Sequence, residues 1–314
     1  MHRYILRRLA ETLPTLLIVS LIVFLLAHLA PGDPAARMLG SYATSAEIAK
    51  AREEMGFDRS VVVQYAAWLV RAVQGDLGRS INSGLPVLET IADRLPRTFS
   101  LALLSLLVSI LIGVPLGILA AIRQNTIWDQ ASMSFCLIGL SIPDFVAGLL
   151  LVLVFSVELN LLPSIGYAPL AQGFGDWLGH LAMPSFSLGF LMSAVTARMT
   201  RSSVLDVLRQ DYVLTARAKG MSETRVVGIH VLKSAMIPVL TVIGINLGAV
   251  FRGAVVIETL FALPGIGRLM ITGIEFRDYP VIQGCLLSIV TIYILINLIV
   301  DLLYAWLDPR IRYT

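Results

Sequence analysis

The chain has 314 residues, of which 57% are hydrophobic and only 14% are charged, and its formal net charge is +3. Its mean hydropathy is +0.81, whereas soluble domains are about one quarter charged and less than half apolar. The basic residues follow no single face and are not interleaved with stacking aromatic residues, which excludes nucleic acid as a partner. The composition predicts an integral membrane protein.

The first apolar run extends from Thr12 to Gly32 and contains no Asp, Glu, Lys or Arg. A helix of about 20 residues is long enough to cross a hydrocarbon core of ~30 Å. The basic start would also fit a secretory signal peptide, but the run is too long for one and does not end in a small-residue cleavage site. We therefore predict a retained first spanning helix.

The segment from Pro31 to Arg97 is predicted to lie outside the membrane as a small helical periplasmic segment. Thr44–Met55 has helical composition, with Ser45 as its cap and Gly56 as its stop. Val61–Val73 is predicted to be an amphipathic helix. The residues expected on its apolar face are Val61, Tyr65, Trp68, Leu69 and Ala72, and Gly75, Gly78 and Gly84 are expected to mark turns after it.

Five further segments are long and apolar enough to span the membrane. They are Thr98–Ile122, Gln130–Val157, Leu181–Ala197, Ser234–Phe251 and Tyr279–Val300. Val255–Ile274 is interrupted by charged, proline and glycine residues, which favours a re-entrant or cavity-lining segment. The predicted fold class is therefore an all-α membrane protein with six transmembrane helices.

The basic residues near the helix ends predict the orientation, because they concentrate on the cytoplasmic side. Arg3, Arg7 and Arg8 precede the first helix, so the N-terminus is expected in the cytoplasm. Six crossings return the C-terminus to the same side and place the basic segment from Arg198 to Lys233 there as well.

No constellation of catalytic or metal-binding residues is present. The four histidines, His2, His28, His180 and His230, have no metal-site spacing, and the sequence lacks the nucleophile elbow and the phosphate-binding loop. The chain is therefore expected to be no enzyme and to hydrolyse no ATP by itself. Cys136 and Cys285 are predicted to be small buried hydrophobes, and a structural role is favoured for the acid Asp144 inside an apolar segment.

The segment Leu205–Pro238 covers most of the longest cytoplasmic loop. Residues 205–219 have helical spacing, and Leu205, Leu208, Tyr212 and Ala216 share one face. Gly220 permits a sharp stop in the left-handed region, and Ser222 can cap a second helix that continues into the fifth span. By periodicity alone, the first helix fits a groove on another protein and the surface of the lipid headgroups equally well.

The stretch Asp211-Tyr-Val-Leu-Thr-Ala-Arg-Ala-Lys-Gly220 resembles the coupling-loop signature of binding-protein-dependent importer permeases of the dipeptide, oligopeptide and nickel group. The acid that opens the broader consensus is missing, and His230–Lys233 replaces a downstream proline motif; both departures are usual in that group. The resemblance extends over the chain through Gly75-Asp-Leu-Gly78, Ser141-Ile-Pro143, Glu258-x-x-Phe261 with Pro264-Gly-x-Gly267, and Asp308–Arg312.

The resemblance implies the transmembrane domain of a type I ABC importer in a bacterial inner membrane. Residues 1–97 would form the N-terminal helix and periplasmic segment, and residues 98–309 the transmembrane domain with a coupling loop at 205–233. The coupling helix would comprise Tyr212, Thr215, Ala216, Arg217, Ala218, Lys219, Gly220 and Met221. Glu258, Phe261, Pro264 and Gly267 would lie near the outer mouth of the translocation path.

The same resemblance implies partners and a function. A second, similar permease would complete the path, two ATPase subunits would supply ATP and Mg, and a periplasmic or lipid-anchored solute-binding protein would deliver the cargo. No cofactor is expected on this chain itself. Di- or oligopeptides are the favoured cargo, with nickel complexes or glutathione as alternatives. A channel or secondary transporter that works alone is the alternative from a different class.

Overall fold

The computed structural model describes residues 2–29, 44–46, 50 and 59–307, and this part of the chain is almost entirely helical, with one isolated bridge between Arg79 and Pro86. Two compact units are present. One contains residues 97–268 and 295–307, and the other contains residues 5–29, 59–96 and 269–294. The predicted all-α fold class is confirmed.

Ten helices follow one another in the described residues, and they are named here in chain order. They are α1 (His2–Leu29), α2 (Val61–Val73), α3 (Val87–Ile122), α4 (Ile127–Ser141), α5 (Asp144–Glu158), α6 (Phe174–Leu208), α7 (Asp211–Ala218), α8 (Glu223–Leu260), α9 (Ile266–Glu275) and α10 (Tyr279–Leu307). Helices α3, α6, α8 and α10 are each long and apolar enough to cross a membrane. The pair α4 and α5 forms a fifth candidate span, and α1 is apolar over Glu11–Leu26.

The predicted span Gln130–Val157 corresponds to two helices, α4 and α5, which meet at an angle of 100°. Pro143 explains the break: it disfavours helical backbone at the residue before it, and Ile142 is extended, with φ −93° and ψ 119°. Asp144 follows the break, and its carboxylate accepts a hydrogen bond of 2.8 Å from the Phe145 N–H. The predicted span Thr98–Ile122 lies within α3, which begins earlier, at Val87.

The predicted helix Val61–Val73 is confirmed with the same bounds as α2. The glycines predicted to mark turns after it all have positive φ: 86° at Gly75, 84° at Gly78 and 71° at Gly84. Most of the predicted helix Thr44–Met55, and its stop at Gly56, lie outside the described residues.

Close packing of α3 on α6 forms the centre of the first unit. Gly113 and Gly117 of α3 lie against Thr196 and Thr200 of α6, and a Cβ atom on Gly117 would lie 2.5 Å from the Ala197 carbonyl oxygen. Small residues allow such close approach between membrane helices, and hydroxyl groups can then bond across the interface. Accordingly, the Ser109 and Thr196 hydroxyls are 3.0 Å apart. The Asn246 amide of α8 donates to the same threonine at 3.2 Å, which joins three helices.

Replacement of Gly117 by alanine tests this packing. We expect Gly117→Ala to lower stability by about 1–3 kcal/mol, because overpacking outweighs the roughly 1 kcal/mol by which alanine favours a helix. The measurement is the midpoint of thermal unfolding in detergent. Gly175→Ala is the matched control, since no atom lies within 4 Å of a Cβ there. Equal midpoints for the two variants would contradict the close approach.

Candidate functional site

Helix α7 forms the centre of the predicted coupling loop. Gln210 precedes it in an extended conformation, with φ −76° and ψ 145°. The predicted continuous helix over 205–219 is therefore wrong, because α6 ends at Leu208 and α7 starts at Asp211. The predicted stop and restart are confirmed: Gly220 has φ +81°, and Ser222 is extended immediately before α8 begins.

The inward face of α7 is packed into an apolar cluster. Val213 is fully buried and Ala216 is nearly so. They share this cluster with Ala121 of α3, Val204 of α6, and Val226, Val231 and Ala235 of α8. Leu205, Leu208 and Met221 pack against it from outside. One short helix is therefore packed against three long ones.

Tyr212, predicted to share one face with Leu205, Leu208 and Ala216, lies on the exposed side of α7. Its side chain is 45% exposed, and its hydroxyl donates to the Ser234 hydroxyl at 3.3 Å. Val213 is buried together with Ala216 instead. Because the helix is interrupted at Gln210, periodicity continued from α6 does not predict which residues of α7 are buried.

The outward face of α7 is uncharged between its two ends. Leu214 is 52% exposed, and the other exposed residues are Asp211, Tyr212, Thr215, Ala218, Lys219 and Gly220. Arg217 is half-buried, and its guanidinium forms hydrogen bonds of 2.7 and 3.1 Å to the Glu223 carboxylate. This ion pair closes the turn between α7 and α8. The exposed charges are thus Asp211 at the start of α7 and Lys219 just after its end.

Sequence reasoning missed a partly buried ion pair between α4 and α6. The Arg201 guanidinium of α6 donates to both carboxylate oxygens of Asp129 in α4, at 2.7 and 2.8 Å. The Asn125 N–H donates to the same carboxylate at 3.0 Å. Such bidentate pairing fixes the relative orientation of the two side chains as well as their distance. No local pattern predicts this pair, because 72 residues separate the partners.

The second predicted group surrounds Glu258, which is 1% exposed at the end of α8. Its carboxylate accepts hydrogen bonds from the Thr98 hydroxyl at 2.6 Å and from the Arg268 N–H at 3.1 Å. The Thr98 hydroxyl oxygen in turn accepts from the Ile266 N–H at 3.0 Å. Glu258 therefore supports the first turn of α9, where backbone N–H groups lack partners within the helix.

Steric constraints explain why glycine occupies both positions in the Pro264-Gly-x-Gly267 motif. A Cβ atom on Gly265 would overlap the Glu258 carboxylate, and one on Gly267 would lie 2.5 Å from the Val255 Cα. Phe261 is buried beside them, and its carbonyl oxygen accepts from the Gly166 N–H at 2.9 Å, whereas Pro264 is half-buried. The structure thus brings the four predicted path residues together around one tight turn.

The part of the chain that the structure describes contains no metal-binding cluster and no exposed cysteine. No three histidine, cysteine or acidic side chains there lie close enough together to hold a metal ion. Cys136 and Cys285 are both buried, as predicted.

Two family models together match nearly the whole chain. Residues 113–313 match the inner membrane component of binding-protein-dependent transport systems, and residues 1–102 match the N-terminal part of such membrane components. The chain belongs to this family of permeases. The predicted family is therefore confirmed, and the protein is a permease subunit of an ABC importer in the inner membrane.

Individual relatives agree with this result. The chain is 44% identical over 310 residues to a probable peptide ABC transporter permease of Sinorhizobium fredii, covering 99% of both chains. It is also 44% identical over 313 residues to the glutathione transport system permease GsiC of Escherichia coli O6:H1, covering 100% of both. A solved structure of the MetNI methionine ABC transporter, inward facing, shares the fold with a TM-score of 0.59 at 17% identity, covering 70% of this chain and 96% of that one.

A double-mutant cycle tests the contact between Glu258 and Gly265. Glu258→Ala and Gly265→Ala should each lower stability by about 1–3 kcal/mol, since each breaks the hydrogen bonds to α9. Because both changes remove the same interactions, the double variant should lose at least about 1 kcal/mol less than the sum. The midpoints of thermal unfolding measure the cycle. Glu158→Ala, at an exposed acid, is the control, and additive losses would contradict the contact.

Proposed function

We propose that this permease forms half of a translocation path for di- or oligopeptides and receives the movement of partner ATPase subunits through α7. The observation that carries the proposal is the two-sided character of α7. Its inner face is packed into α3, α6 and α8, and its outer face is exposed and uncharged between Asp211 at its start and Lys219 just after its end. A helix with this surface can enter a groove on another protein with little cost of desolvation.

The proposed mechanism is alternating access. ATP and Mg bind to two partner ATPase subunits, and ATP binding draws these subunits together. Helix α7 moves with them, and its buried face transfers the displacement to α6 and α8. The path then opens outward, accepts the cargo from a solute-binding protein, and returns inward after hydrolysis. This chain contributes packing and no reacting group.

The proposed orientation places both termini and the 205–233 coupling loop in the cytoplasm. Support comes from the number of cations in this loop, because positive charge concentrates on the cytoplasmic side of inner-membrane proteins. Residues 1–97 are proposed as the N-terminal helix and periplasmic segment, and residues 98–309 as the transmembrane domain. A second, similar permease would supply the other half of the path.

The proposed outer mouth lies around the turn at Glu258, Phe261, Pro264 and Gly267. The burial of Glu258 and Phe261 supports a role in holding this turn, since their side chains are enclosed by their own chain. Contact with cargo would then fall to neighbouring exposed positions.

The cargo is proposed from the relatives, of which one is named as a probable peptide permease and another as a glutathione permease. Glutathione is itself a short peptide, so both names point to the same chemical class. Glutathione is the first alternative cargo, and nickel complexes are the second. Equilibrium binding of dipeptides, glutathione and nickel to the cognate solute-binding protein would separate them.

Charge reversal at Lys219 tests the coupling role. Lys219→Glu should abolish uptake and cargo-stimulated ATP hydrolysis in the reconstituted importer, because it places an acid at the centre of the docking face. Thermal unfolding should be unchanged, since Lys219 is exposed and forms no ion pair within the described residues.

Arg123→Glu is the matched control, because Arg123 is equally exposed in the turn between α3 and α4. It should retain uptake. Normal uptake by Lys219→Glu would refute the docking role, and transport by the purified chain without ATPase subunits would favour a channel or secondary transporter.

A further inference from the structure

Helix α2 has an exposed surface that is unusual for a segment outside the membrane. Of its 13 residues, only Gln64 and Arg71 carry an amide or a charge. No residue of α2 is buried, and Val62 and Val73 are 76% and 81% exposed. Gln64 and Arg71 lie seven residues apart and so share one narrow face, and the rest of the helix surface is apolar. Apolar helix surface of this extent is normally covered by protein or lipid and not by water.

The contacts of α2 with α1 place it at membrane depth. The Tyr65 and Ser20 hydroxyls are 2.8 Å apart, and the Tyr65 hydroxyl also donates to the Leu17 carbonyl oxygen at 3.3 Å. The Phe24 ring lies 5.4 Å from the Tyr65 ring and 5.8 Å from the Trp68 ring, measured between centroids. All of these α1 residues lie inside its apolar stretch, Glu11–Leu26.

The depth follows from the geometry of α1. Along the helix, Ser20 lies about 14 Å and Phe24 about 8 Å from the end of α1 at Leu29. Half of the hydrocarbon core is about 15 Å thick. The middle of α2 is therefore level with the acyl chains of one leaflet, which is the outer leaflet in the proposed orientation.

The exposed surface of α2 continues an exposed apolar surface on α1. Leu13, Ile18, Ile22 and Leu26 of α1 are each at least half exposed, as are Val62, Val70 and Val73 of α2. Tyr65 and Trp68 pack against Phe24, and the Tyr65 hydroxyl forms a hydrogen bond with that of Ser20. The polar contact of α2 thus faces α1, and the exposed valines of α2 face away from α1.

We propose that α2 is a membrane-embedded helix whose valine surface is covered by acyl chains of the outer leaflet. It is then part of the lipid-facing surface of the permease and not of a water-exposed periplasmic subdomain. Arg71, in the last turn, can extend its guanidinium to the lipid phosphates while its stem stays in the apolar region.

Collision accessibility of a spin label tests the proposal in the assembled importer, reconstituted in phospholipid vesicles with cysteine-free partner subunits. A nitroxide is attached at Val62→Cys or Val73→Cys; Cys136 and Cys285 are buried and shielded from the reagent. Ser83→Cys is the control, since Ser83 is exposed in the polar loop after α2. Molecular oxygen partitions into acyl chains, whereas a charged nickel chelate stays in water.

We expect the ratio of oxygen to nickel accessibility at Val62 to exceed that at Ser83 by at least tenfold. A ratio equal to that at Ser83 would show a water-exposed helix and overturn the proposal. Exclusion of both reagents from an immobilised label would show that protein covers α2, and would overturn it as well. None of these results depends on the cargo or on the docking of ATPase subunits. The proposed function is tested independently by the Lys219→Glu variant.

Discussion

Polar groups at membrane depth must find their partners inside the protein, because hydrocarbon offers no hydrogen bonds. The whole structure depends on this constraint. It makes the described chain almost entirely helical, and it pairs the Thr196 hydroxyl with Ser109 and Asn246 across three helices. It also explains why Glu258 can be buried: its carboxylate accepts hydrogen bonds from Thr98 and from the start of α9.

The packing of α3 on α6 extends to α7. Close contacts at Gly113, Gly117 and Gly189 make residues 105–117 of α3 neighbours of residues 189–200 of α6. Val213 and Ala216 of α7 enter the cluster formed by α3, α6 and α8. The Arg201–Asp129 ion pair attaches α4 to α6. A force on α7 would therefore act on packed helices and not on a loose loop, which is the physical basis of the proposed coupling.

The sequence was informative wherever a local rule governs the backbone. Composition and apolar runs predicted the spans, and Gly220 and Ser222 predicted the end of α7 and the start of α8 correctly. Tertiary packing decided the rest: the break at Gln210 and the burial of Val213 instead of Tyr212 leave no periodic signal. The Asp129–Arg201 pair and the contact of Gly265 with Glu258 join residues whose proximity only the fold creates.

Transmission through α7 requires that α7 and α8 move together as one body. The most direct measurement is the distance between two spin labels in the ATP-driven importer, one at Asp211→Cys in α7 and one at Ile245→Cys in α8. Both positions are exposed and lie outside the buried cluster. We expect the same distance distribution before and after ATP binding. A new distance on ATP binding would show that α7 moves independently of α8 and does not transmit its displacement to the span.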